Sequence, residues 1–434
     1  MSRVQIQPIA GPLDGAIRPP GSKSITNRAI VCAAFGDGTS HLEGVLDSED
    51  TRVMMEAWRT VGVPVCHDPA TATVEVVGCG GRLPVDRANL FIANSGTTIR
   101  FLTASLAACQ GEFVLDGVER MRQRPIGDLL RALSELGADV HSLNDRAPDC
   151  PPVRVRARGL KGGRASVRGD ISSQFLSGLM MAAPLAATPV DLRIEGRLVS
   201  VPYVQMTADV MKSFGVQVGV DLPQRIEIRA PQRYRAQRYA IEPDASAASY
   251  FWAAAAIVGG RARVEGLTGS SLQGDVAFCA VLERMGCTVK YLENAIEVVG
   301  PACHGIDVDM ADISDTVQTL AAVALFVDEP TIIRGVAHNR VKETDRIGDL
   351  ATELRRLGAR VEELPDGLRI EPPSQIRPAE IQTYNDHRMA MSLALVGLRA
   401  TGIVIRDPEC TVKTYPGYWE DLQAFAGCSI QRIA

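Results

Sequence analysis

The sequence predicts an α/β protein of two domains, assembled from six similar stretches of chain. Three observations carry that expectation. A helix-like stretch ends in Gly-x-x-Val or Gly-x-x-Ile six times, at Gly62, Gly137, Gly215, Gly286, Gly358 and Gly427, with spacings of 75, 78, 71, 72 and 69 residues. Similar segments flank each of these glycines. The chain also has 434 residues, and chains beyond roughly 250–300 residues split into domains.

Each repeat reads as helix, strand, helix, strand, strand. A polar cluster opens an Ala/Leu-rich helix, and a short strand follows. Next comes an amphipathic helix such as IGDLLRALSEL or IGDLATELRRL, with apolar residues at helical spacing. Its closing glycine suits a helix stop, because a left-handed residue there costs glycine least. After the first five glycines, two β-rich runs surround a turn, as in CTVKYLENAIEVVG and ARVEELPDGLRIEP, which reads as a hairpin.

The ends supply the closure. The sixth repeat finishes GCSIQRIA, with one hairpin strand and no second, while residues 1–18 contain a strand-like run that belongs to no repeat. The N-terminal strand is therefore expected to complete the last sheet. Residues 1–20 and 241–434 then form one domain and residues 21–240 the other. The chain crosses between them near Pro19-Pro20-Gly21 and near residues 239–243, where proline suits a linker or hinge. Solenoid scaffolds also repeat, but in units of about 20–50 residues; these repeats are longer and mix helix with strand.

Composition narrows the function. Aromatic residues are only 5%, so the core rests on Ala, Val, Leu and Ile. A net charge of −5 gives no support for nucleic-acid or anionic-membrane binding. The N-terminus has no signal-peptide pattern. Apolar runs such as FWAAAAIV fall short of the ~20 residues a bilayer needs. The ten cysteines are scattered, without CxxC pairs or metal-ligand spacing. A cytoplasmic protein without metal or cofactor is expected, with small-molecule partners and a monomeric state.

The chemistry is expected at the six polar clusters, GSKSITNRA, NSGTTIRFL, DISSQFL, PDASAASYF, DISDTVQTL and YNDHRMAM. Each alone reads as a helix N-cap, and for PDASAASYF that is the favoured reading. Six helix N-termini at equivalent positions, three per domain, can converge and attract anions through free N–H groups and helix dipoles. Lys23, Arg28, Arg100 and Arg388 lie within the clusters. Arg122, Arg124, Lys342, Arg346 and Lys413 follow in the loops GVERMRQRPIG, NRVKETDRI and PECTVKTYP. A net-acidic chain that gathers cations at matched points builds a local positive field for phosphate and carboxylate groups.

These motifs, in the order PPGSKSITNRA, NSGTTIR, DGVERMRQRPI, SSQFLSGLMMAAPLA, EPDASAASYF, RVKETDRI, NDHRMAM and CTVKTYPGYW, resemble those of the 5-enolpyruvylshikimate-3-phosphate synthase family from residue 19 to residue 419. The resemblance implies two lobes, each an inverted α/β barrel of three repeats, joined by two crossovers. It also implies transfer of the enolpyruvyl group of phosphoenolpyruvate to the 5-hydroxyl of shikimate 3-phosphate. Carried over, Lys23, Ser24, Arg28, Ser172, Ser173, Gln174, Ser200, Tyr203, Asp315, His338 and Lys342 hold shikimate 3-phosphate. Lys23, Asn94, Gly96, Thr97, Arg124, Gln174, Arg346, Arg388 and Lys413 surround phosphoenolpyruvate, with Gly96 leaving space at backbone N–H groups. Asp315, Glu343 and Lys23 handle protons: Asp315 as base at the 5-hydroxyl, Glu343 as acid at the methylene carbon, and Lys23 sharing that work. The sequence departs from many members at Ile99, Phe101 and His338-Asn339.

Two related families fit less well. UDP-N-acetylglucosamine enolpyruvyl transferases typically carry Lys-Asn in the first motif and a reactive cysteine in the loop of the second repeat. Here the residues are Lys23-Ser24, and the loop at 116–126 has no cysteine. No segment resembles the nucleotide-linked histidine site of RNA 3′-phosphate cyclases.

Overall fold

The computed structural model describes residues 2–433. The chain forms two compact units, Gly21–Ile241 and Met1–Pro20 with Glu242–Ala434. Ile241 stays with the first because its N–H donates to the Glu43 carbonyl at 2.9 Å.

Among the described residues, six four-stranded sheets, three per unit, share one strand order. In each, a parallel pair is followed by an antiparallel pair, which in five of the six is a hairpin. In one unit, for example, strand Arg87–Phe91 runs parallel to Gln110–Asp116, which pairs antiparallel with Val153–Arg158 and then Asp139–Ser142. All six glycines that close the outer helices have positive φ, from 63° at Gly427 to 103° at Gly358.

Two strands of the N-terminal segment and one at the second crossing complete three of the sheets. Strand Arg3–Ile6 pairs antiparallel with both Ile403–Arg406 and Ile430–Ile433, so that Val4 lies between Ile405 and Arg432. It takes the place of the missing hairpin strand of the sixth repeat. Leu13–Ile17 runs parallel to Gly260–Glu265, and Arg238–Ala240 runs parallel to Thr39–Glu43. Neither of these last two pairings was anticipated from sequence. Ile6 is fully buried in the core of its unit. Replacing it by alanine should cost about 2–5 kcal/mol, the range for truncating a buried aliphatic side chain. The urea midpoint should fall at unchanged slope; an unmoved midpoint would mean that this strand is not integral to the sheet.

Each unit encloses three buried helices: Lys23–Ala34, Gly96–Ala107 and Ser173–Ala182 in one, Ala245–Val258, Val317–Val323 and His387–Ala394 in the other. All twelve residues of Gly96–Ala107 are buried, including Arg100 and four hydroxyl-bearing residues. Small residues let these helices approach closely; a Cβ on Gly178 would meet the Arg100 carbonyl at 2.9 Å. Buried hydroxyls tie them together. Ser249 bonds to Thr319 at 3.1 Å and Thr319 to Ser392 at 3.2 Å, one residue from each inner helix. The outer helices, such as Glu49–Thr60 and Gly348–Arg356, bury one face only. No helix among the described residues is long and apolar enough to cross a membrane.

Candidate active site

The N-termini of the inner helices carry the polar clusters. Side chains cap them at Ser22, Ser172, Asp244 and Asp386, which accept from the N–H of Ile25, Gln174, Ala247 and Arg388. Backbone strain gathers here as well. Six non-glycine residues among those described have positive φ; Ala72 turns a hairpin, and the others are Ala93, Ser200, Tyr384, Asn385 and Asp407. These five immediately precede or begin the segments carrying Asn94, Tyr203, Arg388 and Lys413. Such conformations cost about 1–3 kcal/mol each and concentrate at functional sites.

In the Gly21–Ile241 unit the candidate residues form two groups. Arg28, 2% exposed, donates from Nε to Thr207 Oγ1 at 2.7 Å, from Nη1 to the Ser24 carbonyl at 2.9 Å, and from Nη2 to Ser177 Oγ at 3.0 Å and the Tyr203 carbonyl at 3.2 Å. Its guanidinium also lies over the Phe101 ring, 5.1 Å from the centroid. Burial lowers its pKa to about 10, so it stays charged at neutral pH. Arg28 thus fixes the relative position of Ser24 and Tyr203 on two helices. The Lys23 ammonium pairs with Asp50 at 3.2 Å.

The second group centres on Gly96. Arg124 Nη1 donates to the Asn94 carbonyl at 3.0 Å and to Asn94 Oδ1 at 3.2 Å. Arg100 Nη1 donates to Gln174 Oε1 at 2.7 Å, and Gln174 Nε2 donates to Thr97 Oγ1 at 3.2 Å. A Cβ on Gly96 would meet Arg124 Nη2 at 2.5 Å and Arg100 Nη1 at 2.7 Å. The missing side chain therefore admits two guanidinium groups, which refines the expectation of open space. Ser173 lies in the first turn of its helix, after the cap Ser172, and Ser200 begins helix Val201–Ser213 in the left-handed conformation.

In the other unit one carboxylate gathers the cations. Asp315 sits in the turn Ala311–Thr316, broken by Ile313 at φ −125° and ψ 37°. Its Oδ1 accepts from Lys342 Nζ at 2.9 Å and Arg346 Nη1 at 3.4 Å, and its Oδ2 from Arg388 Nη2 at 2.7 Å. Burial by itself would raise the Asp315 pKa, but Arg388, Lys342 and Arg346 together outweigh it and hold the carboxyl well below the usual range. Burial lowers the Lys342 ammonium against the opposing pull of Asp315. Arg346, 2% exposed, grips Asp386 with Nε at 2.6 Å and Nη2 at 3.1 Å, and pairs with Glu343 Oε2 at 2.9 Å. His338 and Lys413 are buried on neighbouring turns. The His338 turn is tied to the Asp315 segment by Asn339, whose Nδ2 donates to the Ser314 carbonyl at 3.1 Å.

Such an arrangement has the chemistry to bind an anion with more than one acidic group, with carboxylates beside the cations. A family model for EPSP synthase (3-phosphoshikimate 1-carboxyvinyltransferase) matches residues 8–422. The chain belongs to that family. It is 48% identical to the 3-phosphoshikimate 1-carboxyvinyltransferase of Nostoc punctiforme, over 96% of this chain and 98% of that protein. It is 45% identical to the chloroplastic one of Brassica napus, over 98% of this chain and 85% of the other. The solved EPSP synthase of Acinetobacter baumannii is similar in fold, with a TM-score of 0.83 at 26% identity over the whole of both chains.

In this member of the EPSP synthase family, sequence reasoning passed over two carboxylates that anchor the cations. Asp386 is fully buried and holds both Arg346 and the N–H of Arg388. Its place at a helix start read only as a cap. Asp50 partners Lys23 from the first turn of a different helix, and its own segment gave no signal of that. Arg100, seen as a cation but given no role, positions Gln174.

Proposed function

We propose that the protein transfers the enolpyruvyl group of phosphoenolpyruvate to the 5-hydroxyl of shikimate 3-phosphate. The hydroxyl oxygen adds to C2 as a proton reaches the C3 methylene. Phosphate then leaves C2, and a C3 proton is lost to restore the double bond. Alongside family membership, the observation that carries this reading is the gathering of Arg388, Lys342 and Arg346 on Asp315. Three cations in one place, held in position by Asp315, Asp386 and Glu343, suit a substrate bearing phosphate and carboxylate.

In this assignment Lys23, Ser24, Arg28, Ser172, Ser173, Gln174, Ser200, Tyr203, Asp315, His338 and Lys342 bind shikimate 3-phosphate. Lys23, Asn94, Gly96, Thr97, Arg124, Gln174, Arg346, Arg388 and Lys413 bind phosphoenolpyruvate. Asp315 takes the hydroxyl proton, and Glu343 with Lys23 serves the methylene. Each compact unit is an inverted α/β barrel of three repeats, a reading supported by three sheets of one strand order in each. The same reading carries a monomeric, cytoplasmic enzyme that works without metal or cofactor.

Mixing the protein with phosphoenolpyruvate and shikimate 3-phosphate should release free phosphate, and omitting either should stop it. Release with UDP-N-acetylglucosamine in place of shikimate 3-phosphate would overturn the assignment. Gly96→Ala gives a finer check. Its methyl group has to displace the Arg124 and Arg100 guanidiniums, so KM for phosphoenolpyruvate should rise about tenfold, the equivalent of about 1.4 kcal/mol. KM for shikimate 3-phosphate should stay near the parent value; equal effects on both would place Gly96 outside the phosphoenolpyruvate site.

A further inference from the structure

Beside the Asp315 cluster lies a buried carboxylate to which the proposed mechanism gives no task. Asp275, 2% exposed, occupies the turn Gly274–Ala277. That turn packs against the Ala311–Thr316 turn carrying Asp315 and against helix Ala245–Val258, whose Ser246 hydroxyl donates to Asp275 Oδ2. The charged groups around it come from several elements. Asp315 lies on the first of these turns, Asp244 caps the second element, and Arg388 begins helix His387–Ala394. Asp312 on the Asp315 turn, and Glu283 and Arg284 at the far end of the helix that continues from Asp275, are exposed to solvent.

We propose that Asp275 is a positioning residue that sets the basicity of Asp315. Ionised, its negative charge opposes that on Asp315 and makes Asp315 a stronger proton acceptor for the substrate hydroxyl. Protonated, it leaves Asp315 to the three cations, which make Asp315 a poor acceptor. Two neighbouring carboxylates titrate as a pair rather than separately, so the state of one is felt by the other. Burial, then the Asp315 charge, pushes the Asp275 carboxyl up to about 6, against the opposing Ser246 hydrogen bond and Arg388. That brings its titration toward neutral pH, whereas Asp315 is held well below the usual carboxylate range. The inference rests on the assignment of Asp315 as the base.

The test is the pH dependence of kcat from about pH 5 to 8 for the parent, Asp275→Asn, Ser246→Ala and Asp315→Asn. The parent should show an acidic limb centred near pH 6, following Asp275. Asp275→Asn mimics the protonated form, so this limb should vanish. Its rate at high pH should fall roughly three- to tenfold, as expected for a base whose pKa drops by about one unit. Ser246→Ala removes a bond that favours the ionised form, so the limb should persist and move to higher pH. Melting temperature supplies a readout independent of turnover. A carboxyl with a raised folded pKa stabilises most below its unfolded pKa, and that contribution is lost as the pH rises through about 6. Asp275→Asn should therefore gain stability relative to the parent across that window. An unchanged limb in a folded Asp275→Asn protein, or no such relative gain, would overturn the inference. If Asp315→Asn itself turns over normally, the assignment of the base fails first, and the two failures are told apart.

Discussion

Exchanging Arg388 for lysine should raise KM for phosphoenolpyruvate by at least about 30-fold, the equivalent of losing ~2 kcal/mol. The geometry explains why one cation does not serve for the other. The Arg388 guanidinium reaches Asp315 Oδ2 with Nη2 at 2.7 Å while Nη1 lies 3.5 Å from the Tyr250 hydroxyl, and its backbone N–H is held by Asp386. A lysine ammonium is a point charge on a flexible stem and reproduces neither the fork nor its plane. Arg388→Ala should be worse, because truncating one partner of a buried pair costs on the order of 3–5 kcal/mol when the other is left uncompensated. Steady-state kinetics with each substrate varied in turn separates the effect on phosphoenolpyruvate from general damage, which denaturant unfolding measures directly. An unchanged KM in Arg388→Lys would remove Arg388 from the anion site.

Arg388 also illustrates how much of this protein is legible in its sequence. Its cluster, YNDHRMAM, stood out as one of six at equivalent places, because a repeat exposes positions that single motifs hide. The glycines were readable for a similar reason: a left-handed helix stop has one favoured residue type, and six copies at near-constant spacing leave little ambiguity. The unpaired strand of the sixth repeat pointed to residues 1–18 through a shortage of hydrogen-bonding partners, and Arg3–Ile6 meets that need.

Two edge strands were less visible. Leu13–Ile17 and Arg238–Ala240 lie near the crossings, and their partners depend on which repeat closes on which. Pairing within the site was hidden for a different reason. Arg346 and Asp386 are 40 residues apart, and nothing local distinguishes a carboxylate that only caps a helix from one that also holds a guanidinium. Tyr384 and Asn385, left-handed at φ 55°, aim Asp386 inward. Asparagine adopts that conformation more readily than most residues, but tyrosine does not, so the residue types show only half of it.

The protons give the second large expected effect. Glu343→Gln should lower turnover by ~10²–10⁴-fold, the usual contribution of an acid–base group, while binding of shikimate 3-phosphate is kept. The structure makes this a demanding test, since Glu343 pairs with Arg346 at 2.9 Å. A carboxylate so paired accepts hydrogen bonds and does not donate a proton. Arg346, however, is already held by Asp386 through Nε and Nη2 and by Asp315 through Nη1. Letting go of Glu343 therefore leaves the guanidinium still compensated, which makes that carboxylate the one most easily released to take up a proton. The substrate phosphates add negative charge, which favours protonation. If Glu343 is the acid, the glutamine variant loses kcat and slows exchange of solvent deuterium into the methylene group, with little change in KM for phosphoenolpyruvate. If it is only an ion-pair partner, the variant loses stability or affinity at near-normal kcat and exchange. That second outcome would move the proton donor to Lys23, whose ammonium pairs with Asp50 in the other compact unit.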